Sequence, residues 1–365
     1  MGAGDEAESS TNTGSINLTR RSDLSPLYKV LRKVIRPLRP RLVSSDERCP
    51  AGSPRLEKHP RSVNKVDITE RKIELLPNLS SDVNGDRKSG DLLWVYDFQP
   101  SNEIFSSGDG NRGIHTMYYF AGGGFQSPPS SEHWKLCAHL ASTPASTGGR
   151  VVLVSYPLAP GSPAKDSLPL LRRWLAQALR DAEAQNGIVS LLGDSAGANV
   201  ALSLGLWCAD QLALAKVNTN TEAADSLSRL RSVMAISPPT DMRNQNPAVP
   251  LADATDPVLA KSVTDGAAEA WSKGSDKEDP YLSPNLADLK NVAAGGMRLN
   301  GVIGTSDVLA PDALVFLEKC KDEGVKGDWL VWEGQMHCFP LAACYGLRES
   351  KESRDWVEKT LGEIK

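Results

Sequence analysis

Apolar residues along the chain gather into short runs that predict a series of buried β-strands. The runs are rich in β-branched and aromatic residues and alternate little with polar ones. They occupy residues 92–97, 116–120, 151–156, 188–192, 232–236, 299–304 and 328–332. Strands that are apolar on both sides are typical of a mostly parallel sheet that helices cover on both faces.

The segments between most of the later runs have the length and periodicity of amphipathic helices. One of them repeats apolar side chains at helical spacing, at Leu168, Leu171, Trp174, Leu175 and Leu179. Another extends from Pro311 to Lys319, and its proline suits the first turn of a helix. The interleaved strands and helices predict an α/β protein with a mostly parallel central sheet, helices on both faces and a helical cap.

The composition of the chain changes twice along its length and predicts three parts. Residues 1–23 are polar and rich in serine and threonine, which predicts a disordered arm. Residues 24–90 are charged and contain several prolines, which predicts an N-terminal arm or cap segment. Residues 91–365 contain the regular strands and helices, and we interpret them as a catalytic domain with a cap insertion near 241–290.

A basic amphipathic helix is predicted at the start of the second part, within residues 25–41. Its apolar residues recur at helical spacing, at Leu27, Leu31, Val34 and Ile35. Its basic residues are Lys29, Arg32, Lys33, Arg36, Arg39 and Arg41. The favoured interpretation is a cap helix that packs over the site, and the alternative is peripheral contact with a membrane surface.

Composition and charge exclude several classes of function. A net charge of −4 gives no argument for a nucleic-acid partner. No run approaches the roughly 18 apolar residues of a membrane span, and the polar start does not resemble a secretory signal, which predicts a cytoplasmic location. The six cysteines lack the paired spacing of metal ligands, so neither a metal nor a cofactor is expected.

A candidate nucleophile lies between an apolar run and a segment of small residues, in the sequence GDSAG at 193–197. Glycines on both sides relieve crowding at a sharp turn between strand and helix, which predicts an exposed Ser195 hydroxyl. The simpler alternative is that Ser195 only caps the helix. A serine hydroxyl becomes a nucleophile when a base and an orienting acid accompany it.

Both partners of such a serine follow in the expected order. Asp307 comes after the apolar run LNGVIG, and His337 comes after DWLVW. Asp312 is a rival acid, but it follows Pro311 directly and is predicted to lie in the first turn of a helix. His133 and His139, in contrast to His337, are predicted on a surface helix.

Three consecutive glycines, Gly122 to Gly124, follow the strand at 116–120. Such a triplet indicates a backbone that must approach another group closely. In acyl transfer the backbone N–H groups of such a loop stabilise the negative oxygen of the tetrahedral intermediate. The triplet is therefore predicted to form an oxyanion hole, with a flexible turn as the simpler alternative.

Over residues 92–345 the sequence resembles the hormone-sensitive-lipase branch of the α/β-hydrolases, which includes steryl-acetyl hydrolases and arylacetamide deacetylases. The matching segments are AGGGF at 121, YPLAPGSPAKDSLP at 156, GDSAGAN at 193, SPPTDM at 237 and DPYLSP at 279. The resemblance implies a catalytic triad and an oxyanion hole, made respectively of Ser195, Asp307 and His337, and of Gly123, Gly124 and Ala196. Two positions depart from the family pattern: Ala121 stands where the glycine loop begins with histidine, and Val308 where proline usually follows the acid.

This resemblance implies a serine carboxylester hydrolase that forms an acyl-enzyme on a small hydrophobic ester with a short acyl group, such as acetyl. A second interpretation keeps the fold but assigns lyase, cyclase or acyl-transfer chemistry on a specialised metabolite, for which Ala121 is a weak argument. A third is a non-catalytic binding module. The expected ligand is a small-molecule ester, and the sequence leaves its acyl and alcohol parts and the oligomeric state open.

Overall fold

A mixed sheet of ten strands crosses the computed structural model, which describes residues 16–39, 49–75, 92–100, 113–143 and 149–365. The strands are β1 Ile16–Arg21, β2 Ser62–Val63, β3 Val66–Glu74, β4 Leu92–Pro100, β5 His115–Phe120, β6 Gly149–Ser155, β7 Ile188–Asp194, β8 Leu230–Ile236, β9 Arg298–Gly304 and β10 Gly327–Trp332. Their order across the sheet is β1-β10-β9-β8-β7-β5-β6-β4-β3-β2. Pairing is parallel from β1 to β6 and antiparallel from β6 through β4 and β3 to β2.

Helices surround this sheet. They are α1 Pro26–Ile35, α2 Ser131–Ala141, α3 Ala164–Ala184, α4 Ser195–Val217, α5 Thr221–Leu227, α6 Val249–Thr255, α7 Lys261–Ser272, α8 Lys290–Gly295, α9 Ala310–Asp322 and α10 Arg348–Gly362. Alternate residues of β6 show that both faces are buried, because Val152 and Val154 pack in one apolar cluster and Val151 and Leu153 in another. All seven apolar runs form strands, and the predicted α/β architecture is confirmed.

The expectation of a disordered arm over residues 1–23 is wrong for residues 16–21. These residues form β1, which pairs in parallel with β10 from Ile16 opposite Gly327 to Arg21 opposite Trp332. Ile16 is buried, while Asn17 and Arg20 are exposed. The polar composition reflects an edge strand that exposes side chains on both of its faces, and the ladder with β10 holds it in place. Residues 1–15 lie outside the described residues.

The interpretation of residues 24–90 as an arm or cap segment is also wrong in part. β3 belongs to the central sheet and pairs with β4 along its whole length, from Val66 opposite Pro100 to Glu74 opposite Leu92. Val66 and Ile68 are buried, and the residues between and after them are mostly exposed or half-buried. This alternation is that of a strand with one wet face.

The helix predicted near residue 25 is present as α1. Ser25 caps it, because the Ser25 hydroxyl accepts a hydrogen bond of 3.2 Å from the Tyr28 N–H. Tyr28 is fully buried, and Arg32 donates to the Gly334 carbonyl and to the Ser306 hydroxyl, each over 3.1 Å. The helix therefore packs on the loops that follow β9 and β10.

Among the described residues, α4 is the one helix long and apolar enough to cross a membrane by length and composition. Most of its residues are buried, and it packs against β7 and β8. Its apolar character is that of a core helix at the centre of an α/β sheet.

Candidate active site

Ser195 stands at the sharp turn between β7 and α4. Its φ of +49° lies in the left-handed region, while Asp194 before it is extended. A Cβ on Gly193 would lie 2.3 Å from the Gly197 carbonyl oxygen, and one on Gly197 would lie 2.0 Å from the Phe120 carbonyl oxygen. The turn therefore requires both glycines, and it holds Ser195 in a strained conformation of the kind found at functional sites.

His337 and Asp307 are joined by a hydrogen bond. The distance from His337 Nδ1 to Asp307 Oδ2 is 2.8 Å, and both side chains are almost completely buried. Burial lowers the pKa of His337, but the negative charge of Asp307 outweighs burial and holds that pKa well above its usual value. The pair thus orients the imidazole and stabilises its protonated form.

The rival acid, Asp312, lies elsewhere. It is in the first turn of α9, where its carboxylate accepts a 3.0 Å hydrogen bond from the Asn246 amide. Burial raises the pKa of Asp312 to about 6. Asp307 is therefore the carboxylate bonded to His337.

The glycine loop approaches the nucleophile closely. A Cβ on Gly122 would lie 2.4 Å from Asp194 Oδ2 and 3.0 Å from the Ser195 Cβ, and Gly123 and Gly124 have positive φ values of 125° and 59°. The Gly122 N–H already donates to Asp194 Oδ1 over 2.9 Å. Gly123 and Gly124 remain to line the cavity.

Ala121, which replaces the usual histidine of this loop, is held through its backbone. The Tyr156 hydroxyl donates to the Ala121 carbonyl over 2.9 Å, and Ala121 itself is buried. The head of the loop is therefore fixed on one side by Tyr156 and on the other by the Gly122 contact with Asp194.

One cavity of about 270 Å³ brings the predicted site residues together, because Ser195, His337, Gly123, Gly124 and Ala196 all line it. Asp307 lies behind His337. Much of the remaining lining is apolar and includes Phe125, Met242, Val258, Leu259, Val263 and Leu341. Phe125 is stacked on Trp271 of α7, with ring centroids 4.5 Å apart. The cavity suits a small hydrophobic ligand.

Asp194 is a buried hub that sequence reasoning missed. Its carboxylate accepts hydrogen bonds from the Tyr119 hydroxyl at 2.7 Å, the Gly122 N–H at 2.9 Å and His133 Nε2 at 3.2 Å, and the Cys338 thiol lies at 3.6 Å. Burial raises the pKa of Asp194, but the electrostatic interaction with His133 Nε2–H and these hydrogen bonds outweigh burial, so that the pKa lies below its usual value. The residue before the nucleophile thus connects the glycine loop to α2.

His133 lies in a helix, as predicted, but the prediction that it is at the surface is wrong. α2 is a helix, but His133 is buried in it and reaches Asp194. The Ser130 N–H donates to His133 Nδ1 over 2.9 Å, so Nδ1 is an acceptor and Nε2 carries the proton that it donates to Asp194. No local pattern around His133 indicates this contact.

Cys338 places a thiol beside the candidate base. Its Sγ lies 3.3 Å from His337 Nε2, and its φ of +49° is left-handed. Burial raises the pKa of Cys338 to about 12, so the thiol is neutral.

Asp256 supports the loop that carries the acid. It is completely buried, and its carboxylate accepts hydrogen bonds from the N–H groups of Val308 at 2.8 Å, Val258 at 2.7 Å and Leu259 at 2.9 Å. A proline at 308 would have no N–H for this contact. The departure at Val308 therefore has a structural role.

The described residues bring together one group of potential metal ligands, made of His139, Asp355 and Glu358. His139 lies 3.1 Å from Glu358, and Arg354 already pairs with Asp355. None of these residues lines the cavity that contains Ser195.

Comparison with solved structures shows the same fold in several esterases. EstE5, soaked with p-nitrophenyl butyrate, has 20% identity and a TM-score of 0.63, and the match covers 93% of this chain and 99% of that chain. Carboxyl esterase 2 from the fungus Tuber melanosporum has 15% identity, a TM-score of 0.68 and the same coverages. An esterase of Pyrobaculum calidifontis has 18% identity and a TM-score of 0.64, covering 93% of this chain and 98% of that chain. At these identities the likeness shows the fold alone.

A comparison with curated protein sequences finds no match. The family profile described as alpha/beta hydrolase fold matches residues 117–341, a segment that includes Ser195, Asp307, His337 and the glycine loop. The match spans more than half of the chain and agrees with the observed sheet. The chain therefore belongs to the alpha/beta hydrolase fold-3 family.

Proposed function

We propose that this protein is a serine carboxylester hydrolase acting on small hydrophobic esters with a short acyl group. The observation that carries the proposal is the arrangement of one cavity: a strained Ser195 and the Asp307-bound His337 line it together with a glycine loop. The esterases that share the fold support the same class of reaction.

In this proposal His337 Nε2 removes the proton from the Ser195 hydroxyl as the serine oxygen attacks the ester carbonyl carbon. Asp307 holds the imidazole through Nδ1 and stabilises the imidazolium that forms. The imidazolium then gives its proton to the departing alcohol, which leaves an acyl-serine. Water, deprotonated by the same imidazole, hydrolyses the acyl-serine and regenerates Ser195.

The backbone N–H groups of Gly123, Gly124 and Ala196 are the donors that we assign to the tetrahedral intermediate. All three residues line the cavity beside Ser195, and the Gly122 N–H is already bonded to Asp194. Loss of one such donor typically costs about 10²–10³ in rate.

The size and lining of the cavity support a short acyl group. About 270 Å³ lies at the lower end of the volumes of ligand pockets, and apolar residues from α7 and the segment before it contribute much of the lining. A hydrolysis rate that falls steeply from acetyl to octanoyl p-nitrophenyl esters is the expected result.

The test compares the wild type with Ser195→Ala in p-nitrophenyl acetate hydrolysis and in labelling by a fluorophosphonate. Loss of the nucleophile should reduce kcat by about 10⁶ and abolish labelling. Cys338→Ala is the matched control, because Cys338 is the other nucleophilic side chain that we describe in the cavity, and this variant should still be labelled.

The outcomes separate the three interpretations of the sequence. Activity of Ser195→Ala above a few per cent of wild type would contradict the mechanism. Labelled wild type without ester turnover would favour acyl-transfer, lyase or cyclase chemistry. Folded wild type that is neither labelled nor active would favour a binding module.

A further inference from the structure

α1 presents an apolar strip to solvent in addition to the apolar side that it buries. Leu27, Val30, Val34 and Leu38 are 65%, 60%, 60% and 46% exposed, and their spacing places them along one side of the helix and the turn after it. Leu251 on α6, the helix that Arg36 contacts, is 73% exposed. Contiguous exposed apolar side chains of this kind mark an interaction surface.

The other side of α1 is already occupied by the protein. Tyr28 is fully buried, and Leu31 and Ile35 pack against the apolar cluster below the helix. The exposed strip is therefore a second apolar surface, which the described residues leave in water.

The strip is bordered by positive charge. Residues 25–39 contain five basic residues and no acidic one, in a chain with a net charge of −4. Lys29 and Lys33 are exposed and form no ion pair with the described part of the chain. Arg36 donates to the neutral Ala254 carbonyl and forms no ion pair with the residues that the structure describes. Apolar side chains beside lysines are complementary to the boundary between acyl chains and anionic headgroups.

The helix is fixed rigidly to the candidate site. Arg32 bonds the Gly334 carbonyl and the Ser306 hydroxyl, three residues before His337 and next to Asp307 respectively. Arg39 bonds Asp253 and the carbonyl of Leu259, which lines the cavity. A surface that contacts α1 would therefore lie close to the cap and the catalytic loops.

We propose that α1 docks the protein on an anionic lipid membrane. Leu27, Val30 and Val34 enter the acyl boundary while Lys29 and Lys33 lie among the headgroups. This docking is a property of the surface and is independent of the reaction, so it stands or falls separately from ester hydrolysis. It would bring the cavity to the phase in which hydrophobic esters are concentrated.

The experiment measures co-sedimentation of the full-length protein with vesicles. Binding is expected to vesicles of phosphatidylcholine mixed with phosphatidylserine, and to be weak on phosphatidylcholine alone. Lys29→Glu/Lys33→Glu should lower the partition coefficient on anionic vesicles by at least about fivefold for each lysine. Leu27→Ser/Val34→Ser should lower it by about tenfold or more.

The controls make the same changes at exposed positions of other helices. Leu214→Ser/Val217→Ser on α4 and Lys216→Glu/Lys359→Glu on α4 and α10 should bind anionic vesicles like the wild type. Thermal unfolding establishes that all variants are folded. Wild-type protein that does not bind, binds both kinds of vesicle equally, or binds as well after the α1 changes would overturn the proposal. A dimer that is lost on Leu27→Ser/Val34→Ser, without vesicle binding, would instead assign the strip to a second copy.

Discussion

Replacement of Asp194 by asparagine tests the role of the buried hub behind the nucleophile. The change keeps the shape of the side chain but removes its charge and turns one acceptor into a donor. The remaining oxygen can still accept from Tyr119 and Gly122, which both bind Oδ1. The new NH₂ group then lies against His133 Nε2, which is 3.2 Å from Oδ2 and also carries a proton.

Neither His133 nor the new asparagine can separate these two facing donors without losing a hydrogen bond elsewhere. A change of the His133 tautomer would bring an Nδ1 proton against the Ser130 N–H, which is 2.9 Å away. A flip of the asparagine amide would bring its NH₂ group against the Gly122 N–H and displace the glycine loop. Since a buried donor left without an acceptor costs about 1–3 kcal/mol, and the new NH₂ group adds a second such donor, we expect a loss of about 3 kcal/mol in the free energy of unfolding. A displaced loop should lower kcat by about 10², with KM nearly unchanged.

The assay combines urea unfolding with steady-state hydrolysis of p-nitrophenyl acetate. Tyr119→Phe is the matched control, because it removes one hydrogen bond to the same carboxylate without adding a donor. It should cost about 1–2 kcal/mol of unfolding free energy and change kcat by less than about threefold.

The pH dependence supplies an independent readout. The pKa of Asp194 is lowered from its ordinary value of 3.8, so the ionised carboxylate stabilises the folded state above that pH, and this stabilisation is lost as the pH falls through the lower folded value. The stability difference between wild type and Asp194→Asn should therefore be full at neutral pH and shrink in acid. A folded variant with wild-type kcat and an unchanged urea midpoint would refute the reasoning.

Two further substitutions test the acid loop. Asp307→Asn removes the charge that raises the pKa of His337. The acid limb of the kcat/KM profile should therefore move to lower pH, and kcat should fall by about 10³–10⁴. An acid limb that stays in place would contradict the assignment of Asp307. Asp256→Asn replaces by a donor one of the two oxygens that accept from the N–H groups of Val308, Val258 and Leu259. Urea unfolding should show a loss of about 1–3 kcal/mol in the free energy of unfolding. Kinetics should show a roughly tenfold lower kcat at constant KM. Wild-type kcat in Asp256→Asn would show that the Val308 contact does not position Asp307.

The local patterns that predicted the fold are those of elements buried on both sides. Runs such as 151–156 and 188–192 become β6 and β7, whose residues face both apolar clusters. β1 and β3 expose several side chains to water, and they are held by pairing with β10 and β4, which lie outside their own local sequence. Their polar residues therefore have the local composition of an arm or a loop.

The candidate site likewise contains residues that the local sequence indicates and residues that only the packing of distant segments brings together. Ser195, Asp307 and His337 follow strands in a fixed order, and the structure brings Ser195 and His337 to one cavity with Asp307 hydrogen-bonded to His337. The contact of His133 with Asp194 joins residues 61 positions apart through the packing of α2 on the sheet, and no local pattern encodes it. Asp256 likewise reaches the acid loop from a segment 52 residues upstream of Val308.

By pairing with β10 at the edge of the sheet, the six residues of β1 would also hinder self-association. Every residue of β10 is buried, and without β1 its backbone N–H and C=O groups would form an open apolar edge, a template on which another chain could add a strand. β1 covers that edge, and its exposed Asn17 and Arg20, which lie on opposite faces of the strand, make the new edge polar and charged. A chain shortened to begin after Arg21 would retain Ser195, Asp307 and His337 but expose the edge of β10. Such a chain is expected to aggregate although its candidate active-site residues are all present.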